Sequence, residues 1–498
     1  MLNEEQLLRV IIKKHHLRKE FSPGVLKEAR MAAAKAPGSN REEYRRDLRS
    51  WNMVTIDGED AKDLDDAVSV TKAGGCYRLG VHIADVSHYV KENSGMDKEA
   101  WSRGSSVYLI DKVLPMLPPD VSNGICSLNA QEERLAISCL MDIDQSGKVN
   151  NYELIKSLIT VNERMTYTAV NMILSGEKEG IAARSDHPFF LMQELAVILR
   201  QKRMKRGALD FDLPETKVIV DENSFPVEIK RMERGEAERI IEEFMIQANE
   251  VVAEHMFKRD APLLYRVHEK PNEEAASKLN QVLGVFGYKL GRGKINPLAL
   301  QKVLQKVKNR PEERLISLMI LRSMKHACYT PQALGHFGLA SPYYCHFTSP
   351  IRRYPDLLVH RVLSAMLDKS YNAAKKARYV KKITSWGEHL TLQEIKAEEA
   401  ERELLDIKKA QYMKQYLGDI FVGEIASVMP FGLFVALDNT VEGLVHISGI
   451  ADDYYIYNDR NYTLTGKHKG RHFAIGDRVK VQLVRVSVED AKIDFELV

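Results

Sequence analysis

The sequence predicts a mixed α/β (α+β) body followed by a small all-β unit. Three observations carry this. Between residues 51 and 417, β-branched apolar runs alternate with stretches of helical periodicity. From residue 418 the texture changes to short alternating strands at regular spacing. The 498 residues hold 44% hydrophobic and 28% charged side chains, an ordinary globular balance with length for about three domains.

Composition excludes several classes. No run of about 18 apolar residues exists, so no transmembrane helix is expected. Met1-Leu2-Asn3-Glu4-Glu5 opens a charged segment unlike a secretory signal. The five cysteines form no CxxC pair and read as buried thiols of a reducing compartment, so a cytoplasmic location is expected. Net charge is only +3, but residues 1–50 hold twelve Lys/Arg against seven Asp/Glu. A basic helical front on a near-neutral body points weakly to a polyanionic partner.

Residues 1–50 read as helical, with Leu7-Leu8, Ile11-Ile12 and Leu17 at helical spacing and Ser22-Pro23 as a second start. The most informative stretch follows. Asp57, Glu59, Asp60, Asp63, Asp65 and Asp66 put six carboxylates into ten residues, with Lys62 the one cation among them. The runs Met53–Ile56 and Ala67–Val70 flank them as strands, which makes the segment a loop held between core strands. The plain alternative is a solvated acidic loop. Crowded carboxylates raise each other's pKa unless they share a cation, and hard oxygens suit Mg²⁺ or Mn²⁺. A helix-loop-helix calcium site does not fit, because Gly58 comes second and the flanks are strands.

Tyr77–Val86 reads as a strand returning beside this loop; His82 and His88 within and after it read more readily as hydrogen-bonded core than as ligands. Arg103–Leu109 reads as a strand, followed by a Pro-stiffened loop and turn signals to Asn129; Tyr108 is either core or a stacking platform. A strand at Tyr152–Ile159 leads to Tyr167, and a basic helix ends at Arg200–Arg206 before Gly207–Phe211 turns back. Residues 236–257 form the clearest long helix, and Glu242 and Glu243 interrupt or flank its apolar stripe. In Gly335–Asp356, Ser349-Pro350 signals a helix start that would place Arg352 and Arg353 in the first turn, a natural phosphate site. The alternative there is an arginine paired with Asp356. Residues 373–417 read as a charged helix. The last 80 or so residues suit a five-stranded OB-type barrel, with Phe431, Phe434 and His446 on strands where single-stranded nucleic acid could stack, or with a Phe filling the core.

Taken in order, the acidic loop, Arg103–Asn129, Gly207–Phe211 and Gly335–Asp356 resemble the catalytic domain of the ribonuclease II (RNB) family. The stretch from 418 resembles that family's S1 RNA-binding domain. The resemblance implies three units: a helical segment at 1–50, the catalytic domain at 51–417 and the S1 domain at 418–498. It implies processive, metal-dependent 3′→5′ hydrolysis of RNA to nucleoside 5′-monophosphates by a two-metal-ion mechanism with little sequence preference. The cofactor would be Mg²⁺ or Mn²⁺, and the partner single-stranded RNA or an RNA 3′ overhang, bound by a monomer.

Carried over by position, Asp57, Asp63, Asp65 and Asp66 match the metal-binding aspartates, and Asp65, Arg352 and Glu401 the catalytic group. Within it, Arg352 matches the arginine on the scissile phosphate and Glu401 a supporting glutamate. Tyr108 and Phe211 match the aromatics between which terminal bases stack, and Tyr167 a tyrosine near the terminal nucleotides. Glu243 matches a ribose 2′-hydroxyl contact, with Glu242 one step away. Arg353, Phe431, Phe434 and His446 complete the expected RNA contacts. Relatives carry two cold-shock domains before the catalytic domain, and some a basic tail. This sequence shows neither, so a shortened form with lower RNA affinity is expected. Two other readings are an inactive RNA-binding scaffold, which would have lost an aspartate or Arg352, and a metal-dependent DNase. All five residues are present.

Overall fold

A computed structural model of the chain describes residues 4–34, 45–177, 188–211, 215–290, 295–310 and 312–498. It opens with the two expected helices, α1 (Glu4–Lys14) and α2 (Pro23–Ala33). Ser22 Oγ accepts the amide of Val25, and Pro23 sits in the first turn, where its missing N–H costs nothing.

The centre is a seven-stranded sheet. Its strands are β1 (Arg46–Asp47), β2 (Val54–Asp57), β3 (Asp66–Ala73), β4 (Cys76–Ala84), β7 (Glu133–Ile143), β8 (Val149–Thr160) and β9 (Glu163–Thr166), in the order β1-β8-β7-β4-β3-β2-β9. Between β4 and β7 lie α3 (Val86–Tyr89), α4 (Gly95–Arg103) and the small hairpin β5 (Val107–Leu109)–β6 (Lys112–Leu114). The sheet therefore reaches back to Arg46, which pairs with Ser157. Beyond it come α5 (Tyr167–Leu174), α6 (Pro188–Arg206), the hairpin β10 (Glu215–Val220)–β11 (Pro226–Met232) and α7 (Glu236–Lys258). Next are β12 (Tyr265–Val267), α8 (Glu273–Val285), α9 (Pro297–Val307), α10 (Glu313–Ser323), β13 (Cys328–Thr330), α11 (Tyr354–Leu367) and the long α12 (Ala373–Met413).

Strand periodicity divides the core between the two faces of the sheet. Val68, Ile137, Cys139 and Met141 face α5, α6 and α7 in one apolar layer. Ala67, Ala136 and Leu140 face α2, α4 and α11 in the other. Helices thus cover both faces, and the loop joining β2 to β3 opens at the end of a sheet braced from both sides.

His82 is core, as its strand position suggested. It is fully buried, with Ser69 Oγ 3.0 Å from Nε2 and Ser138 Oγ 2.7 Å from Nδ1. Burial alone depresses its pKa from 6.5 to about 3. The folded chain therefore refuses a proton that the unfolded chain accepts below pH 6.5, so His82 costs stability as pH falls from 6.5 towards 3. Between pH 7.5 and 5.5 this one residue should remove about 1.4 kcal/mol. The stability gap between the protein and its His82→Gln variant, followed by urea unfolding, should narrow by that amount over those two units. A constant gap would contradict the assignment.

From Ile420 a closed barrel forms, ordered β14-β15-β16-β21-β20: β14 (Ile420–Met429), β15 (Gly432–Leu437), β16 (Glu442–His446), β20 (Arg478–Ser487) and β21 (Lys492–Leu497). A three-stranded sheet, β17 (Tyr455–Asn458), β18 (Thr463–Gly466) and β19 (His472–Phe473), fills the β16–β20 connection. Gly432 turns the first hairpin with φ of 151°; a Cβ there would stand 2.2 Å from the carbonyl oxygen of Val445, so only glycine fits. The barrel core continues into Ala410 and Met413 of α12 and Ile229 of β11, which ties it to the body. Among the described residues no helix is long and apolar enough to cross a membrane.

Candidate active site

The acidic loop runs from the end of β2 to the start of β3, as its flanking strands predicted. Leu64 anchors it, being 1% exposed. Its amide donates to Ser127 Oγ at 3.1 Å and its carbonyl accepts from Leu128 at 3.0 Å, while Ser127 Oγ donates to the Lys62 carbonyl. Arg164 clamps the other limb by donating to the carbonyls of Glu59 and Ala61. Glu59 and Asp60 point to solvent, whereas Asp57, Asp63, Asp65 and Asp66 are half-buried or buried.

Asp65 joins the loop to a segment nearly three hundred residues away. Its Oδ1 accepts the amide of Ile351 at 2.8 Å. Its Oδ2 is buried and accepts no hydrogen bond, although Arg352 Nε lies 3.5 Å off. Burial raises the Asp65 pKa well above the ordinary carboxylate value, opposed by Arg352 and reinforced by Asp63 and Asp66. Asp66 is pushed up to about 7 by burial and then by Asp57. Asp57 also rises, mainly by burial, although its Oδ1 accepts the Gly58 amide. Burial, and after it the neighbouring aspartates, thus penalise the charge of Asp57, Asp65 and Asp66, a state that a shared cation relieves.

Among the described residues no three His, Cys, Asp or Glu side chains are already drawn together as a metal cage. The donors nevertheless suit a hard cation. They are all carboxylate oxygens, one of them buried without a hydrogen-bond partner. Mg²⁺ keeps several waters and needs only one or two protein carboxylates at a time, so a cage of three is not required.

The arginine segment departs from expectation. The helix starts at Tyr354, so neither Arg352 nor Arg353 lies in its first turn; Pro355 sits there instead, where proline belongs. Arg353 occupies the position before the helix and donates to Asp356 Oδ1 at 2.8 Å. Asp356, 0% exposed, also accepts the Ser349 amide at 2.8 Å. Arg353 therefore holds the turn together through the Asp356 pairing that the sequence left open as the alternative. Arg352 is the open one: its side chain is 43% exposed, with Nη2 donating to Ser349 Oγ at 3.1 Å. The turn is also sewn to the chain before β5, since Ser106 donates to the Arg352 carbonyl and Tyr354 to that of Gly104.

Tyr108 projects from the β5–β6 hairpin, 40% exposed, and its hydroxyl donates to Asp63 Oδ2 at 3.2 Å. Its ring stands at the cluster's edge. Glu401 stands behind it on α12, where its Oε1 accepts the Tyr108 amide at 2.7 Å. Glu401 thus supports the Tyr108 backbone. Tyr167 opens α5, near enough to Asp57 and Asp66 for their charges to add to the burial that raises its hydroxyl pKa. Phe211 is half-buried against the α8–α10 helices.

Glu243 is paired within the fold. Its side chain is 4% exposed and clasped by Arg203, with Nη2 to Oε1 at 2.5 Å and Nε to Oε2 at 3.2 Å. Glu242 is 35% exposed, with Arg203 and Arg234 each 3.5 Å away. On the barrel, Phe431 lies in the turn before β15 rather than on a strand. It meets Phe434 edge-on at 6.1 Å, and His446 pairs with Gly432 beside it, exposed to solvent. The supports that sequence reading missed, Ser127, Ile351 and Arg164, act through backbone groups or across long separations and carry no local signal.

Comparison with known proteins bears on this arrangement. The model of the RNB domain matches residues 45–369, and that of the S1 RNA binding domain matches residues 414–497. Ribonuclease R 1 of Lactococcus lactis is 45% identical over 482 residues, which is 96% of this chain and 59% of the relative. Ribonuclease R of Thermotoga maritima is 45% identical over 500 residues, covering 98% of this chain and 70% of the relative. The chain thus spans 59% and 70% of the lengths of these two curated relatives. A solved structure of Mycoplasma genitalium RNase R in complex with ribose-methylated single-stranded RNA superposes with a TM-score of 0.92 at 29% identity, covering 99% of this chain and 78% of that one.

Proposed function

The chain belongs to the RNB-domain family, and on that premise we propose that it degrades RNA as a processive 3′→5′ exoribonuclease. It releases nucleoside 5′-monophosphates from single strands and 3′ overhangs by a two-metal-ion mechanism. The observation that carries this is the pairing of Asp65 with the Ile351–Arg352 turn. It sets an acidic cluster with an unpartnered buried oxygen against an open guanidinium.

Asp57, Asp63, Asp65 and Asp66 would hold Mg²⁺, or Mn²⁺, through hard oxygens. When bound, such cations lower the pKa of a coordinated water and neutralise charge on the phosphate. Arg352 meets a non-bridging phosphate oxygen with an N–H fork and offsets the charge that builds there. Its Nη2 is steadied by Ser349 and its backbone by Ser106, so the guanidinium is aimed before substrate arrives.

Tyr108 offers a ring face to one terminal base and Phe211 another, each stack contributing roughly 1–3 kcal/mol. Every base has a π-face, so sequence preference is slight. Tyr167 closes the floor beside Asp57 and Asp66. A ribose 2′-hydroxyl contact from α7 falls to Glu242, the more open of the two glutamates. Phe431, Phe434 and His446 on the barrel give approaching single strands a further stacking surface.

Incubation with 3′-labelled RNA, with and without EDTA, tests this. Immediate release of labelled mononucleotide, abolished by EDTA, is the expected result. Labelled fragments longer than one nucleotide, or activity indifferent to EDTA, would sink the proposal. In the same assay with 2′-deoxy substrates, Glu242→Ala should narrow the preference for RNA over DNA.

A further inference from the structure

A cavity of about 160 Å³ lies between α4, α11 and α12, and no residue of the acidic loop lines it. Trp101 of α4, Trp386 of α12 and Tyr354 of α11 line it. Trp101 sets its ring edge-on to Tyr354 at 5.2 Å and to Trp386 at 6.0 Å, and is braced by His389 stacked at 4.4 Å. The rings close on one another and leave no slot between them, but together they give the cavity one rigid aromatic wall against which a planar heterocycle can lie.

The charges of the lining favour an anion. Its two carboxylates are already satisfied. Asp97 accepts the Tyr354 hydroxyl and Arg361 Nη2, each at 2.6 Å, and the Asn93 amide at 2.6 Å. Glu92 accepts Arg378 Nη2 at 2.7 Å. The lining cations differ: the exposed ammonium groups of Lys98 and Lys382 have no carboxylate partner among the described residues. The start of α12 adds to this field, since residues 375–382 contain Lys375, Lys376, Arg378, Lys381 and Lys382 and no acid. Aromatic walls with unpaired cations at the mouth suit a ring bearing a phosphate. The volume has room for one heterocycle and none for a base-paired duplex.

We propose that the cavity between α4, α11 and α12 is an accessory binding site for a nucleoside 5′-monophosphate, with the base laid against the aromatic wall of Trp101, Trp386 and Tyr354 and the phosphate on Lys98 and Lys382. The choice of a mononucleotide rests on the exonuclease reading, under which the protein releases that compound itself. The cavity is separate from the catalytic cleft and is joined to it by Tyr354, the residue that follows Arg352 and Arg353.

Two of the three tryptophans line the cavity, so intrinsic fluorescence reads occupancy directly. Adenosine 5′-monophosphate should be titrated into the full chain in EDTA, with adenosine and inorganic phosphate as separate probes. A saturable fluorescence change is expected with the nucleotide, at least tenfold weaker with either half alone. In the Lys98→Glu/Lys382→Glu variant, both changes being at exposed positions, the Kd should rise at least tenfold. In Arg352→Ala it should stay within twofold. No saturable change at millimolar nucleotide overturns the site. So does a signal lost in Arg352→Ala and retained in the double variant, because that places the nucleotide in the catalytic cleft. Binding in EDTA needs no catalysis, so failure of the RNA assay beside the expected titration would count against the exonuclease reading and leave the site standing.

Discussion

Asp65→Asn is expected to lower the rate of RNA hydrolysis in Mg²⁺ by about 10³-fold, the scale on which a preorganised electrostatic group acts in a water-poor site. The substitution keeps size, shape and an oxygen to accept the Ile351 amide. It removes the charge that makes the cluster attractive to a cation. The same change should leave metal-free stability equal or higher. Asp65 is buried, its Oδ2 accepts no hydrogen bond, and burial raises its pKa well above the usual value. The folded protein therefore holds this carboxylate at a cost that only function offsets. Single-turnover rates on a short RNA, with urea unfolding in EDTA, check both halves. Activity within tenfold of the parent would remove Asp65 from the metal site. A large loss of stability would mean that the activity loss reports misfolding.

The second large effect is structural. Asp356→Ala should destabilise the fold by about 3–5 kcal/mol, the usual result of leaving one member of a buried ion pair without its partner. Asp356 is fully buried and holds both Arg353 and the Ser349 amide through one oxygen. Its loss strands a guanidinium whose Nε already lacks a partner. Lost methylene packing alone would account for much less. The distinguishing measurement is a double-mutant cycle with Arg353→Ala. Removing both groups should cost less than Asp356→Ala alone, because no charge is then left buried. Strict additivity of the two single losses would mean that the pair is not coupled. Activity should fall in Asp356→Ala as well, since the same turn presents Arg352 and the Ile351 amide to the acidic loop.

How much of this was legible beforehand varies with the element. The acidic loop could be read because strand signals on both sides left it nowhere to go but between them. The barrel was legible from its alternating strands, and α7 from an apolar stripe that continued across Glu243. The helix start at Ser349-Pro350 misled, because Pro355 makes an equally good first-turn residue and Asp356 holds the preceding turn out of the helix.

Sequence by itself determined which residue types stand in which order, and so the sheet, the barrel, the crowded carboxylates and the family likeness. Only the tertiary structure decided between neighbours of the same type. Arg352 is open while Arg353 is bound to Asp356, and Glu242 is open while Glu243 is bound to Arg203. The physical reason is that exposure and pairing depend on partners brought close by folding. In the second pair those partners lie forty positions apart, and between Asp65 and Ile351 they lie 286 apart. Local spacing carries no information about contacts of that kind.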